Sequence, residues 1–219
     1  MLSKSIENYL KAIFSLSEHG NGNVSTNSIA KKLNTKASSV TDMLRKLTSK
    51  KLVNHEKYKG VKLTIKGKKI AANIVRKHRL WETFLVEKLH FNWDEVHDVA
   101  EQLEHVKSDK LVNFLDEFLE HPKFDPHGDP IPDGFGKFPI SNSTPLSSLK
   151  KGDKGIVMGV SQDNSTFLKF LDKIDVKLGN LIYVKEIIEF DSSLEIIINN
   201  KEYHISFEVG KNILVKQKC

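Results

Sequence analysis

His97, Glu101, Glu104 and His105 fall on one stripe of a 3.6-residue helix, because steps of three and four residues return to the same face. His78 and Glu82 repeat the four-residue step earlier in the chain. Two imidazoles and two carboxylates side by side form a nitrogen and oxygen donor set for a divalent cation. Without sulfur, that set suits manganese, iron(II), cobalt, nickel or zinc, and its carboxylates lean toward the harder ions. The plain alternative is a polar ladder on a solvated helix. The single cysteine, Cys219, excludes both an internal disulfide and a thiolate zinc site within one chain.

These residues do not read as catalysts. The HExxH spacing of zinc peptidases is absent, as are a glycine-rich phosphate loop and a serine nucleophile elbow. Neither an enzyme nor a small organic substrate is expected.

Long helices must hold the stripe. Residues 68–90 carry Leu80, Phe84, Leu85 and Leu89 at helical spacing. Residues 94–120 carry Val96, Val99, Ala100, Leu103 and Val106, and then Leu111, Phe114, Leu115, Phe118 and Leu119 as a further helix. That is more apolar surface than a short helical hairpin needs, so self-association is expected. From His121-Pro122 to Gly134-Phe135-Gly136 the prolines and glycines forbid regular helix, which makes 121–145 a linker. Beyond it, residues 155–160, 181–184, 194–198 and 203–207 read as strands of a small β-barrel, with Asn199-Asn200 as a hairpin turn and a short helix over 167–172.

The first third of the chain has a different character. A helix over 4–18 ends at a Gly/Asn turn. Val24 to Leu33 and the stretch from about Ser38 then form two short helices joined by Asn34-Thr35-Lys36-Ala37. Residues 52–55 and 61–65 alternate like strands around the basic tip Lys57-Tyr58-Lys59-Gly60. A helix pair followed by such a hairpin is a winged helix-turn-helix. Residues 1–70 hold 15 Lys/Arg against 4 Asp/Glu, whereas the remainder holds 19 against 24. That polarity makes the first third a footprint for a polyanion. The second helix of the pair offers Lys36, Ser38, Ser39, Thr41 and Asp42 to the major groove, and Lys31, Lys32, Lys36, Arg45, Lys46, Lys50, Lys57 and Lys59 to phosphates. Its opening turn holds no Arg or Asn for bidentate base reading, so dimer geometry is expected to carry much of the specificity.

Met1 to Asn8 contains no apolar signal core, and no apolar run reaches the ~20 residues of a membrane span, so a cytoplasmic protein is expected.

Arg76-Lys77-His78-Arg79-Leu80-Trp81-Glu82, then Val96-His97-Asp98 and Glu101-Gln102-Leu103-Glu104-His105-Val106, resemble the diphtheria toxin repressor and manganese transport regulator family. Pro126-His127-Gly128-Asp129-Pro130-Ile131-Pro132 is similar to that family's linker. The resemblance implies a mainly α chain with a C-terminal β domain. A winged helix-turn-helix would occupy 1–72, a helical dimerisation and metal-binding domain 73–140, and an SH3-like domain 146–219. It further implies a primary metal site at Asn8, Glu101, Glu104 and His105. An ancillary site would use His78, Glu82 and His97, completed by Asp163 or, failing that, Gln162 or Thr166. Glu101 stands where manganese-type members carry a carboxylate and iron-type members a cysteine. The implied ion is therefore Mn(II), with Fe(II) as alternative and Zn(II), Co(II) or Ni(II) as in vitro substitutes. The implied function is a homodimeric repressor that binds palindromic operator DNA when metal-loaded and controls metal homeostasis. The rival is a metal-independent winged-helix regulator whose barrel binds a peptide or partner protein.

Overall fold

The computed structural model describes residues 2–17, 22–56, 59–140, 142–162 and 164–218. The chain packs as two compact units. One comprises Met1–His78, Glu101–Asn113 and Pro132–Phe138; the other comprises Arg79–Ala100, Phe114–Ile131 and Pro139–Cys219. The stretch expected as one helical domain over 73–140 is thus shared between them.

The first unit opens with α1 (Lys4–Leu16), α2 (Thr26–Lys32) and α3 (Ala37–Ser49). Ser3 and Ser25 cap the first two helices, accepting from the amides of Ile6 and Ser28. The strands β1 (Val53–Glu56) and β2 (Gly60–Leu63) pair antiparallel, Val53 opposite Leu63. Val24 extends this hairpin by exchanging two 2.8 Å hydrogen bonds with Val61. Leu10, Ile13, Ile29, Val40, Leu44, Leu47, Leu52 and Val61 make one buried core. These are the apolar positions that the sequence spacing selects. The wing leads directly into α4 (Ile65–Leu89), which starts three positions before the expected Lys68.

Between residues 94 and 120 the helix is interrupted. One helix, α5, covers Val96–Leu103, and another, α6, covers Asp109–Phe118. Val106 bonds back to the Leu103 carbonyl, and the Ser108 hydroxyl receives the Leu111 amide as a new helix starts. The expected stripe from His97 to His105 therefore leaves the helix after Leu103, with Glu104 and His105 in a turn.

In the second unit, β3 (Thr144–Pro145), β4 (Lys154–Val160), β5 (Leu181–Ile187), β6 (Leu194–Ile198), β7 (Lys201–Ile205) and β8 (Ile213–Lys218) form one antiparallel sheet. Its order is β3-β8-β4-β5-β6-β7. Helix α7 (Ser165–Lys173) follows β4, and α8 (Phe207–Asn212) precedes β8. Asn199 and Asn200 both take positive φ, as a tight turn between β6 and β7 demands. Two readings change here. The strand expected over 203–207 stops at Ile205, because Ser206 caps α8 through the Val209 amide. Besides β5, β4 pairs with β8, a strand the sequence pattern did not reveal.

Candidate functional site

In the second unit a buried donor group forms around Glu82 of α4. Ligand atoms of Glu82, Asp125 and His127 lie within 4.8 Å of one another, and all three residues are buried. His97, in the first turn of α5, places Nδ1 3.2 Å from Glu82 Oε1. On its other oxygen, Glu82 Oε2 is 4.0 Å from His127 Nδ1. That gap is too long for a hydrogen bond. It suits two donors on one ion, where each bond is roughly 2.0–2.2 Å long.

The chain around Asp125 and His127 is built to aim them. Asp125 Oδ1 accepts from the amides of His127 (2.8 Å) and Asp129 (2.9 Å), which closes a tight turn. Its Oδ2 stays outside that turn, 3.6 Å from Arg79 Nε. Nε2 of His127 faces the Trp93 carbonyl at 3.2 Å, where it can only donate. That bond fixes the tautomer and leaves the Nδ1 lone pair toward Glu82, an arrangement typical of a ligating histidine. Gly128 has φ +85°, and a Cβ there would meet the Met158 carbonyl oxygen at 2.0 Å. Only glycine lets this loop lie against β4, where the Val160 amide bonds to the His127 carbonyl at 2.8 Å.

The group crowds negative charge into a buried site. Burial, and then the negative charges of Glu82 and Asp129, push the Asp125 carboxyl well above its ordinary range, although Arg79 opposes them. Crowded, buried carboxylates with a ready imidazole fit a divalent cation.

The first unit holds a second group, centred on Glu104. Its two oxygens have different neighbours. Oε2 lies 2.6 Å from Lys11 Nζ and 2.7 Å from His78 Nδ1. Oε1 lies 3.8 Å from His105 Nε2. The other nitrogen of His105 is 2.6 Å from Glu7 Oε2. A carboxylate behind an imidazole orients and polarises it as a ligand. Burial alone would raise the Glu104 carboxyl. The His78 hydrogen bond and the Lys11 charge outweigh it and hold the group below the usual carboxylate range. Glu104 Oε1 and His105 Nε2 thus fit an ion, with two donors already facing each other.

The expected residues divide accordingly. Glu104 and His105 come together, and so do Glu82 and His97. His78 occupies the turn of α4 before Glu82, with its Nδ1 against Glu104. Asn8 is exposed, and its neighbour Glu7 is the α1 residue that reaches His105. Glu101 is exposed, 3.6 Å from Lys11 Nζ. Asp163 lies outside the described residues, and so does Lys57. Gln162 is exposed and accepts from the Asn164 amide side chain, and Thr166 is exposed in α7. Glu7, Asp125 and His127 are the donors not singled out from sequence. Asp125 and His127 lay in the Pro/Gly stretch read as a linker. Glu7 showed no signal beyond its place beside Asn8.

On the helix pair, Lys36, Ser38, Ser39, Asp42, Arg45 and Lys46 are exposed, and Thr41 is half-buried with its hydroxyl on the Ala37 carbonyl. Asp42 pairs with Arg45 at 3.1 Å, so part of that charge is spent within α3. Lys31, Lys32, Lys50 and Lys59 are exposed as well. Among the described residues no helix is long and apolar enough to cross a membrane.

Three family descriptions tile the chain. "Iron dependent repressor, N-terminal DNA binding domain" matches residues 1–61, "Iron dependent repressor, metal binding and dimerisation domain" matches 64–133, and "FeoA domain" matches 144–217. An uncharacterised HTH-type transcriptional regulator of Methanocaldococcus jannaschii is 40% identical over 119 residues, 54% of this chain and 95% of that one. The HTH-type transcriptional regulator MntR of Oceanobacillus iheyensis is 35% identical over 125 residues, 57% of this chain and 84% of that one. Other matches span less of the relative: 52% of the diphtheria toxin repressor of Corynebacterium jeikeium, and 16% of a probable metal transport system membrane protein of Chlamydia trachomatis. A solved manganese-dependent transcriptional repressor in complex with manganese aligns over 97% of this chain and 100% of that one, with 34% identity and a TM-score of 0.86.

Proposed function

The chain belongs to the family of iron-dependent repressors, and from that footing we propose that it is a metal-dependent transcriptional repressor binding palindromic operator DNA as a homodimer. The observation that carries the metal dependence is the buried group of Glu82, Asp125 and His127, whose ligand atoms converge within 4.8 Å of one another. A bound divalent ion would balance the two carboxylates there. His97 and Glu82 link α5 to α4 at this point, and Asp125 and His127 bring in the segment that lies on β4. Asp163, which precedes α7, is the proposed further donor. Glu104 and His105 form the second metal position, with Asn8 and Glu101 as its remaining proposed ligands.

Oxygen and imidazole donors without sulfur favour manganese(II), with iron(II) next; zinc, cobalt and nickel would substitute in vitro. Residues 1–72 read DNA through α3 and the wing. Residues 73–140 carry most of the proposed metal donors and the dimer contact, and residues 146–219 form the SH3-like FeoA domain. Leu111, Phe114 and Phe118 of α6 are exposed apolar side chains suited to a second copy of the chain. A DNA-binding regulator of this kind works in the cytoplasm.

Helix α4 runs without a break from the wing to Glu82, so donors set at its C-terminal half act on the element that begins at the DNA-binding hairpin. Metal and DNA affinities are then linked reciprocally, typically by about 5- to 150-fold. The test is a gel-shift titration on duplexes enriched by the protein from a genomic library. Manganese should raise the affinity and a chelator should reverse it. Equal binding in both conditions would favour the metal-independent regulator instead.

A further inference from the structure

Lys77 of α4 carries an ammonium that is only 8% exposed, with no carboxylate at ion-pair distance among the described residues. Its one hydrogen bond there runs from Nζ to the Val106 carbonyl, at 3.2 Å. A buried lysine is ordinarily paired with an anion, because a single neutral carbonyl offsets little of the cost of taking the charge out of water. Lys77 lines a cleft of about 460 Å3 that lies wholly within the first unit, among α1, α4, the start of α6 and the loop at 133–136. That size suits a small metabolite. The buried part of its lining includes the apolar Ile74 and Val112. Lys69 and Asn73 line it too and are exposed. Lys69, Asn73 and Lys77 recur every four residues, so one face of α4 presents them in line.

The acids around the cleft have other engagements. Glu7 Oε2 is 2.6 Å from His105 Nδ1. Asp133 Oδ1 accepts from the amides of Phe135 and Lys137, both at 2.9 Å, and the Arg76 charge acts on the same carboxylate. Asp109 is exposed in the first turn of α6. The charges left for a ligand are those of Lys77 and Lys69.

We propose that this cleft is an effector site for a small organic anion, whose carboxylate or phosphate group binds Lys77, with Asn73 and Lys69 in line to take its remaining polar atoms. Glu7 holds the His105 imidazole and Lys77 holds the carbonyl of the next residue, Val106, so a ligand in the cleft bears on the turn that carries His105. Binding of the anion is independent of the metal-dependent reading; its effect on metal uptake rests on that reading. Negative charge added beside this turn favours a cation at His105, so anion and manganese should each tighten the other.

The experiment is calorimetric titration of the metal-free full chain with succinate and, separately, with glycerol 3-phosphate. The native protein should bind one equivalent of at least one of them; the one that binds names the group as carboxylate or phosphate. Lys77→Gln keeps a donor for the Val106 carbonyl and loses the charge, so binding should weaken about 10-fold or more. Asn73→Trp changes an exposed position, fills the cleft and should abolish binding; it decides the matter should Lys77→Gln fail to fold. Lys46→Ala, on the DNA face, should bind as the native protein does. No binding of either anion, or undiminished binding in Asn73→Trp, overturns the site. A loss in Lys46→Ala alone places the anion on the DNA face and overturns it as well. With the cleft saturated, manganese affinity should rise by about 5-fold or more; an unchanged affinity overturns the effector role. If the native chain binds the anion and takes up no manganese, the site stands and the metal-dependent reading falls.

Discussion

Glu82 Oε2 and His127 Nδ1 face each other across 4.0 Å in a buried site, a separation that a shared cation would fill and a hydrogen bond would not. Asp125 completes the group, and its two backbone hydrogen bonds run through Oδ1 alone. Asn at this position keeps an oxygen for those bonds and removes the charge crowded against Glu82 and Asp129. Asp125→Asn should therefore fold, and in chelator its unfolding midpoint should equal or exceed that of the native protein. The rise in midpoint on adding manganese should shrink. Thermal unfolding with and without MnCl2 checks both, and an undiminished manganese shift would remove Asp125 from the site.

The pH dependence of metal uptake has a definite sign. Burial and its acidic neighbours raise the Asp125 carboxyl above its ordinary value of 3.8, so the metal-free protein keeps this proton to higher pH than a solvated aspartate would. Ligation requires the carboxylate, so binding displaces the proton and the apparent manganese affinity rises as pH rises toward the elevated value. Above that value this contribution flattens. Calorimetric titrations in buffers of different ionisation enthalpy should show proton release in the lower range. Its loss in Asp125→Asn would identify the source, and equal release in the variant would point elsewhere.

Arg45 and Lys46 test the DNA face. Both are exposed on α3, and neither belongs to the buried core. Lys46→Ala should weaken binding to all duplexes alike and lower the salt slope by about 1, as for one lost phosphate contact. Arg45→Ala should do less, because its Asp42 pairing already offsets part of the charge. Binding measured over a salt series decides this; a loss confined to one operator sequence would mean that Lys46 reads bases.

The proposed dimer contact lies on α6, where Phe118 is 61% exposed and Phe114 56%. Phe118 sits 6.2 Å from Phe84 by ring centroids, with the Lys88 ammonium 5.7 Å away. A charge here costs the monomer little and an apolar interface much. Phe118→Glu should shift the protein from dimer to monomer in sedimentation velocity at micromolar concentration while the circular dichroism spectrum is kept. A variant that remains dimeric would move the interface off this face.

Local patterns were readable where structure is local. The buried positions of α2 and α3, the presence of the wing hairpin and the Asn199-Asn200 turn follow from spacing and turn chemistry, because neighbours in sequence determine them. The strand β8 was hidden, since only Ile213, Leu214 and Val215 are apolar before Lys216-Gln217-Lys218, and its pairing with β4 spans some fifty residues of chain. The site divides the same way. Glu82 and His97 lie on helical patterns and were found together. Asp125 and His127 reach Glu82 only through the tertiary path of a segment whose prolines and glycines say "not helix" and nothing more. Glu7 and Asn8 differ by 100° around α1, a rotation that the apolar pattern does not settle for the residues at its border.

The central claim is that a divalent ion belongs among Glu82, Asp125 and His127. Crystals grown with MnCl2 and measured near the manganese absorption edge test it directly. The account predicts an anomalous peak bonded to Glu82, Asp125 and His127 Nδ1, and a further peak between Glu104 Oε1 and His105 Nε2, with Lys11 still against Glu104 Oε2. Well-ordered side chains at Glu82, Asp125 and His127 with no anomalous peak between them, at manganese concentrations that drive operator binding, would contradict it.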